Sequence, residues 1–376
     1  MQESSDSKTR EQIGLSLVAI ASELAREINP ERPRIGGLTG SLERDWGFDS
    51  LTRAELLLRV ERAFSVRVPD ALLGAAETLE DVVPALADAP KLPSVGLARP
   101  EPIQKHAVEA APPDLKTLIE VLDWHVSEHG ERGHVTLWQD VGAETRLTYR
   151  ELAERARIAA GGLVRAGLEP GERVAIMLPT GFEFFAAFFG VLYAGGVPVP
   201  IYPPARPSQL EEHLNRQAGI LRNAGAAFLI APPAASAIAR LVRLQVESLR
   251  DVVTVEALKE DAGGEGSNIP PADTALIQYT SGSTGEPKGV VLSHGNVLAN
   301  IRAMGAAMNA GPADVFVSWL PLYHDMGLIG AWLGSLYYAA PLVVMSPLTF
   351  LVRPEQWLWA VHRHRATLSA SPNFGY

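Results

Sequence analysis

The stretch Tyr279–Gly289 reads YTSGSTGEPKG and sets Thr280, Ser281, Ser283 and Thr284 around Gly282 and Gly285, with Lys288 near its end. It lies between two apolar runs, Ala275–Tyr279 and Val290–Leu292, so the pattern predicts a loop joining two short strands. Gly282 and Gly285 can take backbone angles closed to other residues, which lets successive N–H groups converge on one anion. The four hydroxyls add donors and Lys288 adds a compact positive charge. Such a loop suits phosphate. It is not a Walker loop, because Pro287 and Lys288 stand where Gly-Lys would be needed, and Gly289 follows in place of Ser or Thr. A solvated hairpin connection is the plain alternative for any Gly, Ser and Thr mixture, and the order of eleven residues argues against it.

Downstream, Trp319–Leu328 reads WLPLYHDMGL. A lone histidine beside aromatics is by itself an ordinary structural residue, so His324 becomes a candidate only through its context. Upstream, apolar runs alternate between helix and strand periods. A helix is expected over Leu115–Gly130 and a strand over Val135–Trp138. Thr148-Tyr149-Arg150-Glu151 is a capping box opening a helix that stops at Gly167. Strand-like Arg173–Leu178, helical Phe182–Tyr193, strand-like Val197–Tyr202, helical Gln209–Ala224 and strand-like Ala227–Ile230 continue an α/β rhythm. Two uncharged runs, Phe184–Tyr202 and Leu328–Met345, approach membrane-spanning length. Gly195-Gly196 with Pro198 and Pro200 break the first, and Pro341 breaks the second, so each reads as buried helix, turn and strand, and no transmembrane span is expected.

The N-terminal region has a different grammar. Ile13, Leu17, Ile20, Ala21, Leu24 and Ile28 share one face of a helix expected over residues 9–28, ended by Asn29-Pro30. A Gly-, Pro- and Arg-rich loop leads to Gly47-Phe48-Asp49-Ser50-Leu51, which places Ser50 at the start of a helix running through Arg53–Phe64. Asp or Ser at that position is explained by helix capping alone. A turn at Pro69–Leu73 and a last helix over Thr78–Leu86 complete the region, and six prolines within residues 89–113 mark a linker and a domain boundary.

With 376 residues, 47% of them apolar, the chain can form two or three domains. A net charge of −10 argues against a nucleic-acid or anionic membrane surface as the main partner. Absence of cysteine removes disulfides, thiolate metal sites and a cysteine nucleophile. The N-terminus lacks a basic-then-apolar signal, so a cytoplasmic location is expected.

The YTSGSTGEPKG loop resembles the signature of the adenylate-forming superfamily, which includes acyl-CoA synthetases, luciferases and the adenylation domains of peptide synthetases. The run from Leu147 to Pro207 resembles the opening of that family's large domain, and Tyr202-Pro203-Pro204 with Arg216-Gln217 points more narrowly to fatty acyl-AMP ligases. The resemblance implies that Thr280, Ser281, Gly282, Ser283, Thr284, Gly285 and Lys288 hold the β- and γ-phosphates of ATP. It implies that His324 is catalytic, lying beside the α-phosphate and the substrate carboxylate. The F-D-x-S pattern of amino-acid-activating domains is missing here, which weighs against an amino-acid substrate. Ala366–Tyr376 resembles the segment entering the acyl-binding wall, so the family's adenine, ribose and magnesium contacts and its lid lysine would lie beyond Tyr376. This 376-residue chain alone is therefore expected not to turn over fatty acid.

The first 80 or so residues resemble an acyl or peptidyl carrier domain, in which the serine of D-S-L, here Ser50, carries 4′-phosphopantetheine. Arg53, Glu55, Arg59, Glu61 and Arg62 give the following helix a mixed face, unlike the acidic face of free-standing fatty-acid carriers, and suggest service to domains of the same polypeptide.

The expected architecture is thus a four-helix carrier bundle over residues 9–88, a linker over 89–113, and over 114–376 an α/β adenylation domain with mixed sheets flanked by helices, incomplete at its C-terminus. The implied activity is ATP-dependent: a fatty acid becomes acyl-AMP, and the acyl group passes to a phosphopantetheine thiol on a downstream domain or an acyl carrier protein. Phosphopantetheine, ATP and magnesium are the implied cofactors, and a phosphopantetheinyl transferase the implied partner. An acyl-CoA synthetase, an amino-acid-activating domain of a polyketide or nonribosomal peptide synthetase, and a non-catalytic fragment presenting its carrier are the alternatives.

Overall fold

The computed structural model of the chain describes residues 2–28, 35–48, 50–64, 66, 68, 76–87, 109–140, 143–203, 210–233, 235, 240, 242–260, 272–280 and 288–375. The chain divides into two units, one built mainly on Met1–Ala98 and the other containing most of the later residues.

In the first unit the described helices are α1 (Gln2–Ile28), α2 (Ser50–Phe64) and α3 (Val82–Ala87). Leu17, Ala21 and Leu24 of α1 pack with Trp46, Phe48, Leu56, Val60, Leu79 and Leu86 in one core. The predicted stripe of α1 runs out at its last member, since Ile28 is exposed. The helix expected from Thr78 begins only at Val82. Before it, the Asp81 carboxylate accepts the N–H groups of Glu77 and Thr78 at 2.9 and 2.8 Å, holding a turn that starts the helix late. Two members of the mixed charged face predicted for α2 are buried. Arg53 is 5% exposed and donates to the Ala76 carbonyl at 3.1 Å, while Glu61 is 4% exposed and accepts the Val68 N–H at 2.8 Å. These two charges hold neighbouring chain and are not displayed to a partner. Arg59 pairs with Glu27 and Glu55. The ends expected at Asn29-Pro30, the turn at Pro69–Leu73 and the linker up to residue 108 lie outside the described residues, and a fourth bundle helix is not among those described.

The second unit is α/β. Its strands are β1 (Gly133–Asp140), β2 (Ala143–Thr148), β3 (Arg173–Ile176), β4 (Val197–Pro200), β5 (Ala226–Ile230), β6 (Asp251–Val253), β7 (Thr274–Thr280), β8 (Lys288–Ser293), β9 (Phe316–Ser318), β10 (Leu342–Val344) and β11 (Leu368–Ser369). One sheet runs β11-β9-β10-β1-β2, a second β4-β3-β5-β6, and β7 pairs with β8 alone. The first is mixed, because β2 returns antiparallel to β1 while its other pairs are parallel. The second is wholly parallel. Pro198 and Pro200 sit in β4 because it is an edge strand, where a missing N–H breaks no ladder.

Helices follow from local rules. The capping box at Thr148 and Glu151 forms as the sequence predicts and opens Tyr149–Arg165, which Gly167 closes at φ +91°. Two further boxes, Thr117 with Glu120 and Ser293 with Asn296, open Leu118–His129 and His294–Met308. The helix Phe182–Tyr193 is buried along most of its length, and Phe184, Phe185, Phe188 and Phe189 surround the Trp332 ring at centroid distances of 4.6–6.2 Å. The Trp332 indole N–H donates to His134 Nε2 at 3.1 Å, and His134, Tyr149 and His125 stack in turn beneath it. Ala111, near the end of the expected linker, is already buried in this core and donates its N–H to the Tyr337 carbonyl at 2.8 Å. Among the described residues no helix is long and apolar enough to cross a membrane.

Candidate functional site

β7 and β8 form the predicted hairpin, antiparallel, with Thr280 directly opposite Lys288 at its open end. Both residues are exposed there. Ser281, Gly282, Ser283, Thr284 and Gly285 lie outside the described residues, so the hairpin defines where their loop begins and ends. The hairpin is anchored from below: the Tyr279 hydroxyl donates to Asn223 Oδ1 at 2.5 Å, and burial raises its pKa. Gly289 faces the Tyr279 ring so closely that a Cβ there would lie 2.9 Å from it.

The segment bearing His324 follows β9 and is drawn to the same strand. Gln278 of β7, 3% exposed, donates its side-chain N–H to the Tyr323 carbonyl at 2.7 Å. The Tyr323 ring meets Tyr202, beyond the end of β4, edge to face at 4.9 Å. Burial, with Tyr202 nearby, raises the Tyr323 pKa. Three strand exits, those of β4, β7 and β9, therefore converge. His324 itself is open to solvent, with its Nδ1 2.6 Å from Asp325 Oδ1, which also accepts the Met326 N–H at 2.8 Å.

Directly after Asp325 the chain forms a π-helix, Met326–Leu333, a rare form that gathers at functional sites. Gly327 is required at its start, since a Cβ would lie 2.2 Å from the Pro321 carbonyl oxygen. Beside this helix lies a small pocket of about 20 Å³ lined by Ile301, Met304, Gly305, Phe316, Gly330 and Tyr338 among others. A Cβ on Gly330 would meet nothing within 4 Å.

Ser50 is the first residue of α2, as predicted. Asp49 and the surroundings of the Ser50 side chain lie outside the described residues. Gln217 is buried, and the Arg216 side chain is outside the description. Among the described residues no group of His, Asp and Glu could hold a metal ion. Sequence reasoning took Gln278 for a strand residue only. The signal available was a lone amide in the apolar run Ala275–Tyr279, at a position that alternation assigns to neither face with certainty.

An α/β unit whose strand exits gather beside one hairpin end defines a ligand-binding class in which the chemistry lies at the carboxyl ends of the strands. Residues 122–374 match the AMP-binding enzyme family, and the chain belongs to it. Residues 16–86 match the phosphopantetheine attachment site family. Among relatives, the medium-chain fatty acid and acyl-carrier-protein ligase JamA of Moorena producens is 33% identical over 70% of this chain and 45% of its own length. The long-chain fatty acid and AMP ligase FadD26 of Mycobacterium marinum is 37% identical over 62% of this chain and 41% of its own. Among solved structures, a fatty acyl-adenylate ligase from L. pneumophila, in complex with acyl adenylate and pyrophosphate, superimposes with a TM-score of 0.61 at 31% identity, covering 70% of this chain and 45% of that one. The chain thus spans less than half the length of these relatives.

Proposed function

We propose that the chain is a carrier domain (9–88), a linker (89–113) and the N-terminal part of an adenylation domain (114–376) of a protein that activates fatty acid with ATP. The carboxylate oxygen attacks the α-phosphorus, the bond to pyrophosphate breaks, and acyl-AMP forms. A phosphopantetheine thiol then takes the acyl group and AMP leaves. The observation that carries this reading is the meeting of two motifs: Thr280 and Lys288 bracket the phosphate loop, and Gln278, two residues earlier on the same strand, bonds the residue before His324.

The roles follow from placement. An exposed ammonium and a hydroxyl at one hairpin end suit a triphosphate, and the loop of Ser281, Gly282, Ser283, Thr284 and Gly285 would add hydroxyl and backbone donors around it. His324 stands at the exit beside that hairpin, available to the carboxylate and α-phosphate. Fixed donors of this kind stabilise charge that develops during transfer. Magnesium would supply charge neutralisation on the triphosphate, and no ligand for it is assigned among the described residues. Ser50 at a helix N-terminus is placed for attachment of phosphopantetheine by a transferase, since the positive end of the helix dipole tolerates the phosphodiester.

Pyrophosphate exchange by the full-length protein tests this reading. Fatty acids should support exchange. Exchange with amino acids in place of fatty acids would contradict it.

A further inference from the structure

The three strand exits could vary independently, since β7 and β9 belong to different sheets and their loops are far apart in sequence. One buried side chain removes that freedom. Gln278 sits in β7 with its neighbour Ile277 and Tyr279 packed on the core beneath the parallel sheet, so its own backbone is fixed. Its amide N–H reaches the Tyr323 carbonyl at 2.7 Å, a bond spanning 45 residues of sequence. A backbone carbonyl accepts only from a donor, so the amide's orientation is set by its partner. The residue after that carbonyl is His324, and two residues along β7 from Gln278 the phosphate loop begins.

We infer that Gln278 is a positioning residue that fixes His324 in register with the hairpin end formed by Thr280 and Lys288. This rests on the proposed role of His324. A buried glutamine bonded to a loop carbonyl also occurs as a simple structural link. This one differs in joining the two segments whose relative position decides whether a carboxylate and an α-phosphate meet, and an error of about an ångström there is costly. Tyr202 supports the same segment from the other side by ring contact with Tyr323. Among the described residues, Tyr323 is thus tied to β7 by a directional bond and to Tyr202 by a ring contact.

The test uses Gln278→Met, which keeps length and apolar bulk and removes the donor, in the full-length protein, alone and combined with His324→Ala. Loss of the bond releases the half-buried Tyr323 carbonyl from β7, so fatty-acid-dependent pyrophosphate exchange should fall about tenfold in kcat, while KM for ATP changes by less than about threefold. In the His324→Ala background the same substitution should cost less than about twofold, because coupled residues are non-additive. Hydrogen exchange of the 319–326 backbone should quicken in Gln278→Met, while the 182–193 helix stays as in the parent. A tenfold loss that persists in the His324→Ala background overturns the inference and leaves the role of His324 standing. A change confined to KM for ATP, or unchanged exchange over 319–326, also overturns it. If His324→Ala keeps parental kcat, the histidine's role fails and the register inference falls with it.

Discussion

The two units place a reactive group by different means. In the first, Ser50 begins α2, and other chain segments are tied to that helix by polar links such as Arg53 to the Ala76 carbonyl. In the second, the candidate site exists only where three strand exits meet, joined across 45 residues by Gln278. A group carried on one helix can be moved by a partner as a unit. A group assembled from distant strands depends on the whole unit being folded. The first arrangement suits an arm that travels, the second a site that must stay rigid.

The sharpest break between them should come from Ser50→Ala. With a phosphopantetheinyl transferase and CoA, intact-mass spectrometry should show the added arm on the parent and none on the variant, while fatty-acid-dependent exchange by the full-length variant stays near parental. Acid should separate the units next. All nine histidines follow Ala98. Burial, reinforced by nearby His129, lowers the pKa of His125 to about 4, and burial lowers that of His134 to about 3. The unfolded chain takes up protons near 6.5 that the folded unit refuses, so this stability is full above 6.5 and is lost as pH falls through that value toward 4 and 3. At about 1.4 kcal/mol per pKa unit the pair loses on the order of 5 kcal/mol of stability between pH 6.5 and 4.5. The acid-sensitive groups of the first unit are carboxylates such as Glu27, held low by its hydrogen bond to Arg59. Thermal melts between pH 7 and 4.5 should therefore lower the second transition and leave the first nearly fixed. A parallel fall of both would refute the contrast.

Smaller effects sharpen it. Lys288→Ala and Thr284→Ala in the full-length protein should each slow exchange about tenfold to a hundredfold, the scale of a charge-assisted hydrogen bond of roughly 1.5–3 kcal/mol, with no shift in melting temperature. Arg53→Ala should lower the first transition by about 1–3 kcal/mol through the lost bond to Ala76, leave the second unchanged and still permit loading of Ser50. Differential scanning calorimetry reads both transitions.

How much was legible in the sequence follows the same division. Local devices could be read directly: the capping box at Thr148, the stop at Gly167, the hairpin around the phosphate loop, the start of α2 at Ser50. The inward turn of Arg53 and Glu61 could not, because a helical period of charges looks the same whether the charges meet solvent or neighbouring backbone. Asp81 shortened α3 by capturing the N–H groups of Glu77 and Thr78, just where the helix was expected to begin. The pairing of β9 with β10 and β11, and the bond from Gln278 to Tyr323, are long-range choices made by tertiary packing, and the π-helix at Met326 has no sequence period of its own.

The central claim is that the phosphate loop and His324 form one site that adenylates fatty acids. Radiolabelled pyrophosphate exchange by the full-length protein, run with a panel of fatty acids and a panel of amino acids, tests it most directly. The account predicts exchange with fatty acids that is reduced in both Lys288→Ala and His324→Ala, and none with amino acids. Exchange supported by amino acids alone, or fatty-acid exchange indifferent to both substitutions, would contradict it.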